Sequence, residues 1–466
     1  MNVREKKVEK KPEEYCKEIE RLTVENTSFQ KEIERLTMKV TSLLEENNSL
    51  KEKIKELEEI IKRKKRKRAY PAKTSVSGKK KKRGRKPGFK GTSRTIPDHV
   101  DEVIELTLDT CPHCGTPLGK SYEKRKRYVE DIPVVQPYVT KYIIHRYHCP
   151  HCKEDVSEIP DTVIPHCRLG TNVMLSVVYQ KYALHLSYEK IRNNLETFFG
   201  LKTTGPTLYK AVRLIAQYYT GEFEEIKRQT KEAKAVYADE TGWRINGVNN
   251  WLWVFVTENA ALFKIDKRRS SDVPKEVLGE DFDGVLITDF YSAYHTKLPY
   301  KKQKCLVHFL RDSKKIAQNN EETKKFHKRV KRFIRDAARF KEENHPQHEI
   351  AEAKKRFQRR LTKIIAGPYK DSDCTRLAKR LNQHHDSLLT FLEEDIDYHN
   401  NRAERALRLS VIMRKICFGS NSRIGADIHE ILMSILTTYK LRKKNFLEES
   451  TRFIKSQLRQ IAVSQN

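Results

Sequence analysis

A heptad repeat near the N-terminus constrains the fold of this chain more than any other sequence feature. Apolar residues alternate at spacings of three and four through six heptads without a break: Ile19, Leu22, Phe29, Ile33, Leu36, Val40, Leu43, Leu50, Ile54, Leu57 and Ile61, with Asn26 and Asn47 in the same seam. Leu-rich d positions with Ile, Val or Asn at a favour a parallel dimer. We expect residues 1–61 to form a coiled-coil dimerisation segment about 65 Å long, giving a homodimer or higher oligomer. A single amphipathic helix packed on a domain is the alternative.

Positive charge is concentrated in two segments. The 466 residues carry a net charge of +31, which favours a polyanionic partner, most simply DNA. Residues 62–94 contain 17 basic and no acidic side chains, and residues 311–366 have a net charge of +10. Because charges at this density repel, residues 62–97 are predicted to be a disordered basic linker. Its candidate DNA-binding residues are Arg83, Arg85 and Lys86. They would bind either as a hook in the minor groove or through contacts to phosphates. The alternative is that the segment is a localisation signal or a solvated linker.

The sequence shows no membrane or export signal. No apolar run approaches the ~20 residues that span a bilayer, and the N-terminus lacks the apolar core of a signal peptide. Together with the positive charge, this predicts a cytoplasmic, nucleoid-associated protein with no membrane partner.

Four of the nine cysteines occur in a repeated motif, Cys-Pro-His-Cys. Each pair places two thiolates about one tetrahedral edge apart, and two pairs complete a four-sulfur site without an open position. The odd number of cysteines argues against a disulfide framework, and a redox role for the pairs is the alternative. We expect residues 98–168 to be a zinc ribbon that binds structural Zn²⁺, with a long β-hairpin over 128–144. The predicted ligands are Cys111, Cys114, Cys149 and Cys152.

Residues 169–230 have helical periodicity. Ser187 is positioned to cap a helix that ends at Gly200, and Thr204 or Pro206 to begin another that ends near Tyr219. These proportions fit a helix-turn-helix whose second helix reads DNA, or equally two helices that pack in a core.

Two short apolar runs end in aspartate. Residues 235–238 and 284–288 are predicted strands, which place Asp239 and Asp289 at the ends of two strands of one sheet. A helical segment further along the chain supplies Glu404. Three such carboxylates can hold two divalent cations about 4 Å apart, and oxygen ligands favour Mg²⁺ or Mn²⁺ over zinc. Acidic residues at strand ends are common, so spacing alone leaves capping and surface roles open.

The order of these features resembles that of transposases of the insertion-sequence 66 family. The shared elements are the coil, the basic Gly-Arg-Lys-Pro-Gly linker, the paired cysteines, the Asp-Glu-Thr strand and an Asn-Asn-x-Ala-Glu-Arg-x-Leu-Arg helix. Residues 288–294 are similar to the family's second-aspartate motif. Residues 305–311 resemble its Cys-x-x-His-x-x-Arg stretch, without the aromatic residue that often follows the cysteine.

The resemblance implies a ribonuclease H-like catalytic core over residues 231–441. Its Asp-Asp-Glu catalytic triad would be Asp239, Asp289 and Glu404, which would bind Mg²⁺ or Mn²⁺. His308, Arg405 and Glu240 are second-line candidates, and Glu240 would point to the other face of its strand.

The implied fold class is multidomain α/β, with an N-terminal coiled coil, a zinc ribbon, a helical DNA-binding region and the catalytic core. Because Asp289 and Glu404 are 115 positions apart, we expect a helical insertion over about 313–395, lying along DNA or forming a solvated helical pair. Residues 442–466 are predicted to be a helical tail.

The implied function is transposition of a mobile insertion element. The protein would bind the element ends and catalyse metal-dependent DNA cleavage and strand transfer by a two-metal mechanism. Accessory transposition proteins stay open as partners. The alternative is a dimeric zinc-containing DNA-binding regulator without catalysis, a transposase relic.

Overall fold

The computed structural model describes most of the chain: residues 12–68, 96–133, 135–158, 160, 163–165, 167–295, 298–343 and 345–464. It divides into two compact units, Met1–Val129 and Glu130–Asn466. The candidate DNA-binding residues Arg83, Arg85 and Lys86 lie outside the described residues. Within these ranges, no helix combines the length and the apolar character needed to cross a membrane.

Helix α1, Pro12–Arg68, is the longest element of the first unit. Its seam is open to solvent: Leu36 is 48% exposed and Ile33 62% exposed. The helix includes residues 62–68, where we predicted the start of a disordered linker. Lys and Arg are good helix formers, and cations are favoured near a helix C-terminus, so the first part of the basic run extends the helix.

The two Cys-Pro-His-Cys motifs, one in each unit, fold into the same turn. In both, the first cysteine's N–H donates to the carbonyl five positions later, at 2.8 Å. In both, the N–H four positions later returns to the first cysteine's carbonyl, at 2.8 Å from Gly115 and 3.0 Å from Lys153. These two residues have φ of +74° and +61°. The repeated sequence therefore produces a repeated backbone.

A short hairpin flanks the second motif. Strands β1, Arg146–His148, and β2, Asp155–Ser157, pair antiparallel around it. The long hairpin predicted over residues 128–144 is wrong, because the described residues of that range contain no strand. Their apolar side chains stay open, with Tyr138 95% exposed. An alternating pattern without a surface to pack on is only marginally stable as a hairpin.

The helices that precede the sheet are α2, Thr171–Tyr182, α3, Tyr188–Phe199, α4, Gly205–Tyr218, and α5, Thr220–Lys231. The predicted caps are confirmed: Ser187 accepts the Lys190 N–H, and Gly200 ends α3 with φ +63°. Thr204 accepts the N–H of Thr207 at the start of α4. Helix α4 packs one face in the core and leaves its other face exposed. This arrangement fits both the core-packing and the helix-turn-helix interpretations.

A mixed sheet of five strands forms the centre of the second unit, in the order β5-β4-β3-β6-β7. The strands are β3, Ala235–Ile245, β4, Val248–Val256, β5, Ala261–Asp266, β6, Val285–Thr288, and β7, Lys301–Lys304. Strands β3, β4 and β5 form an antiparallel meander, whereas β6 and β7 add in parallel on the other side of β3.

Helices surround this sheet. They are α6, Asp272–Leu278, α7, Leu306–Ile316, α8, Glu321–Glu342, α9, Gln347–Ile365, α10, Ser372–Gln383, α11, Asn401–Cys417, α12, Arg423–Leu441, and α13, Phe446–Ser464. Helix α11 packs on β3 and β4, and α12 packs on β5.

Helix α12 also satisfies the backbone of the edge strand β5. Glu430, Ser434 and Thr438 stand four residues apart on one helix face. Their side chains accept the N–H groups of Ile265, Phe263 and Ala261 at 2.9, 2.9 and 3.0 Å, respectively. The helix therefore occupies donors that would otherwise be unpaired at the sheet edge.

Candidate active site

The two predicted aspartates extend past the same end of a parallel strand pair. Strands β3 and β6 pair as far as Tyr237 and Ile287. Asp239 comes two positions beyond that pair, and Asp289 follows the end of β6. We predicted that the first strand ends at Asp239, but β3 continues to Ile245, paired there with β4. Asp239 is thus held in a strand rather than in a loop.

The carboxyl group of Asp239 lies in the electric field of the other acids. Burial raises the pKa of Asp239 to about 8, and the charges of Glu240, Asp289 and Glu404 contribute to the rise. Its Oδ1 accepts the N–H of Glu240 at 3.0 Å. Near neutral pH the side chain is therefore mostly protonated, and a bound cation would displace that proton.

Asp289 is held by its own loop and by a buried lysine. Its Oδ1 accepts the Tyr291 N–H at 2.8 Å, and its carbonyl accepts the Lys304 ammonium at 2.9 Å. The same ammonium donates to Thr288 Oγ1 at 3.0 Å. Burial lowers the pKa of Lys304 to about 7, against the opposing effect of Asp289. Lys304 thus fixes the loop in which Asp289 lies.

Glu404 is positioned by the first turn of α11, which is bonded to β3. The Asn400 side chain donates to the carbonyl of Ala238 at 2.8 Å, and its N–H donates to Cys305 Sγ at 3.2 Å. The buried Ala403 lets the helix approach the sheet. The helix motif therefore places Glu404 beside the strand that carries Asp239.

A second set of bonds supports the same helix. The Arg402 guanidinium donates to Asp397 at 2.9 Å, and the Tyr237 hydroxyl donates to the same carboxylate oxygen at 3.1 Å. At the other end of the helix, Arg414 donates to Thr241 Oγ1 at 3.0 Å and to the carbonyl of Gly242. Helix α11 is therefore bonded along β3 on both sides of Asp239.

Glu240 has a buried side chain that accepts hydrogen bonds from two neighbouring side chains. Its side chain is 2% exposed and accepts the Arg269 guanidinium at 2.9 Å and the Tyr294 hydroxyl at 2.5 Å. The guanidinium lies between the rings of Trp251 and Tyr291, 4.1 Å from each. Burial raises the pKa of Glu240 despite these two donors. This arrangement favours a supporting role for Glu240.

Of the other second-line candidates, His308 reaches the site. Its Nε2 lies 3.4 Å from Glu404 Oε1. Within the described chain, Cys305, His308 and Glu404 have possible ligand atoms within 4.8 Å of one another, whereas the three predicted triad acids do not form such a group. Three carboxylates repel one another unless a cation neutralises them. Arg405 instead bonds the carbonyl of Asn401 in its own helix at 3.2 Å.

Sequence reasoning assigned no role to Lys304, Asn400 or Arg269. Lys304 ends β7, a strand of four polar residues that carries no apolar pattern. Asn400 was part of the recognised motif, but nothing in the motif indicates which backbone carbonyl it would bind. Arg269 lies 29 positions after Glu240, so only the folded sheet brings the two together.

The cysteine turns favour metal-binding thiolates. The Thr116 hydroxyl beside Cys114 lowers the pKa of that thiol, and the Cys152 N–H does the same for Cys149. The thiols of Cys111, Cys114, Cys149 and Cys152 are all free of disulfides. Thiolates in such turns are zinc ligands.

The sequence of this chain matches two protein-family models. A model described as the zinc-finger binding domain of transposase IS66 matches residues 109–153, which contain both cysteine motifs. A model described as transposase IS66 family matches residues 166–428, more than half of the chain, including Asp239, Asp289 and Glu404. The chain belongs to the IS66 family of transposases. A search of curated proteins found no match.

As an IS66-family transposase, the protein is a transposase of a mobile element. Its zinc-finger domain supports a structural Zn²⁺ ion and, with the transposase domain, DNA binding. The resemblance drawn from the sequence is thereby confirmed at the level of the family.

Proposed function

We propose that this IS66-family transposase cleaves DNA at the ends of its element and joins the released 3′ ends to target DNA. The catalytic residues would be Asp239, Asp289 and Glu404. The observation that carries the proposal is that β3 and β6 place Asp239 and Asp289 past the same end of a parallel strand pair, while Asn400 bonds the helix of Glu404 to β3. The charges of Asp289 and Glu404 both contribute to the raised pKa of Asp239. Three elements distant in sequence thus converge on one carboxyl group.

The sheet supports a ribonuclease H-like core. Its first three strands form an antiparallel meander, and the fourth and fifth add in parallel beside the first. This is the strand order expected of such a core. The helices α8 to α10 lie between Asp289 and Glu404, within the insertion proposed over about 313–395.

The chain's part in catalysis is to position groups. Mg²⁺ or Mn²⁺ bound by the three carboxylates would activate the attacking oxygen and stabilise the leaving oxygen. Lys304 holds the Asp289 loop, and Asn400 holds the helix of Glu404 against β3. His308 beside Glu404 Oε1 would orient that carboxylate. Fixed geometry of this kind lowers the entropic cost of in-line attack.

DNA binding is proposed for three other parts of the chain. The exposed face of α4 carries Lys210 and Arg213, as a helix-turn-helix reading helix would. The basic linker and the positive face of α8 and α9 would contact phosphates without reading sequence. Zinc held by Cys111, Cys114, Cys149 and Cys152 would order the ribbon. DNA binding would also account for nucleoid association.

Dimerisation is proposed for α1. Its exposed seam repeats for six heptads, and solvation of so long an apolar stripe is unfavourable unless a second helix covers it. A dimer would also bring two catalytic domains to one element.

The proposal is tested by nicking of supercoiled plasmid with purified protein in Mg²⁺ or Mn²⁺. We expect Asp289→Ala to abolish nicking while DNA affinity stays near that of the unmodified protein. Asp281→Ala, an exposed aspartate before the same strand, is the matched control and should nick normally. Full nicking by Asp289→Ala would remove that residue from the site.

A further inference from the structure

A cleft lies beside the Asp289 loop. It has a volume of about 300 Å³ and is lined by Phe290 and His295 from the loop and by Arg376, Lys379 and Arg380 from α10. Phe290 directly follows the proposed ligand Asp289. The cleft is therefore within one residue of the candidate active site.

The charge of the cleft is positive. Arg376, Lys379 and Arg380 follow helical spacing, so all three belong to one face of α10. Arg376 also bonds Asp373 at 2.7 Å, and Arg380 bonds Asp312 at 2.9 Å, so each arginine is oriented by one carboxylate. No acidic residue of the described chain lines the cleft itself.

The rings of Phe290, His295 and His384 form an aromatic wall of the cleft. The His384 ring is 5.2 Å from the Phe290 ring and 4.3 Å from that of His295. Burial lowers the pKa of His384 to about 3, and the charges of Lys304, Arg380 and Lys302 act in the same direction. The wall is thus formed by neutral rings in a positive field.

The geometry points to a binding site for a phosphate of the DNA strand next to the scissile one. This inference rests on the proposed function. The acids around Asp239 repel a polyanion, whereas the basic cleft beside the same loop attracts it. Lys379 and Arg376 would contact the phosphate oxygens, and the half-buried Phe290 ring would pack on the adjoining sugar or base. The strand would then be held across the Asp289 loop.

The test is the salt dependence of DNA affinity in the full-length protein, measured by fluorescence anisotropy with a labelled duplex. The logarithm of the DNA affinity falls as the logarithm of the salt concentration rises. Losing one phosphate contact makes this dependence less steep by about 0.9. We expect Lys379→Glu to make the salt dependence less steep by about that amount and to weaken binding about five- to tenfold at low salt. Lys455→Glu makes the same charge change on an exposed position of α13 and should leave the slope unchanged.

A neutral variant controls for misfolding and for simple repulsion. Lys379→Gln should make the salt dependence less steep by the same amount, with a smaller loss of affinity. If both Lys379 variants keep the wild-type slope, or if Lys455→Glu changes it equally, the cleft holds no phosphate. If the unmodified protein nicks DNA and Lys379→Glu nicks it with unchanged KM and kcat, the cleft inference fails and the proposed function stands. If the unmodified protein neither binds nor nicks DNA, both fail.

Discussion

At the residue scale, the candidate site consists of acids whose negative charges oppose one another. Asp239 shows this most clearly, because its pKa is raised by burial and by three neighbouring acids. Such a cluster destabilises the protein without a cation and is therefore typical of a functional site.

Replacing Asp239 with Asn should stabilise the protein when no divalent cation is added. Because the folded-state pKa of about 8 exceeds the unfolded value, Asp239 reduces stability progressively as pH rises from about 4 to 8. We expect the variant to gain up to about 5 kcal/mol at pH 8 and little at pH 4, since the pKa is raised from 3.8 to about 8 and each pKa unit is worth about 1.4 kcal/mol. Thermal unfolding across pH measures this.

The exposed Asp281→Asn variant is the control and should show no gain at either pH. An Asp239→Asn protein that is less stable than the unmodified one at pH 8 would contradict the electrostatic account.

The acids of the candidate site were predictable from the sequence, whereas the residues that position them were not, for a physical reason. The acids follow apolar strands or lie in a helix motif, so local patterns reveal them. Lys304 and Arg269 act through contacts between distant segments. Local patterns do not encode those contacts.

At the element scale, helix α12 protects the edge of the sheet. Its Ser434 is fully buried and accepts the N–H of Phe263 at 2.9 Å. We expect Ser434→Ala to lower the free energy of unfolding by about 1–3 kcal/mol, because the N–H of Phe263 is left unpaired in the core. Denaturant unfolding measures the change.

Ser456→Ala is the control for that experiment, since its exposed hydroxyl bonds only the Phe453 carbonyl of its own helix. Equal unfolding free energies for the two variants would show that α12 does not satisfy the sheet edge.

Sequence patterns predicted the elements unevenly. Helices α3 and α4 were predicted with their caps because a cap depends on residues close in sequence. Strand β7 was missed because its Gln303 is buried through hydrogen bonds to Leu388 and Phe391, which are far along the chain. The hairpin over 128–144 was predicted from strand-like residue content alone, but its apolar side chains remain largely exposed, so no core holds a hairpin together there.

Zinc binding is expected of the ribbon that contains the two cysteine motifs. We expect one zinc ion per chain, and we expect Cys114→Ser and Cys152→Ser each to lose it, because a tetrahedral thiolate site needs all four ligands. Metal analysis of the purified protein measures the content. Cys16→Ser, an exposed cysteine of α1, should keep the metal. Full zinc content in either ribbon variant would contradict the four-cysteine assignment.

At the scale of the whole molecule, self-association should depend on the seam of α1. Leu36→Glu with Leu43→Glu places charges at two d positions and should convert the dimer to a monomer. Light scattering after size-exclusion chromatography measures the mass. Thr41→Glu with Asn48→Glu adds the same charge at two outward-facing b positions of the same helix and should leave the dimer intact. A dimer that survives the seam variant would place the interface elsewhere.

The most direct test of the central claim is whether Asp239, Asp289 and Glu404 act as one catalytic unit. DNA cleavage in Mn²⁺ should be compared for Asp239→Asn, Asp289→Asn, Glu404→Gln and the triple variant. We predict that each single change lowers the rate about 1000-fold or more and that the triple variant is no slower, because residues that act as a unit are non-additive. Near-normal cleavage by Glu404→Gln, or losses that multiply across the three positions, would contradict a shared metal-binding triad.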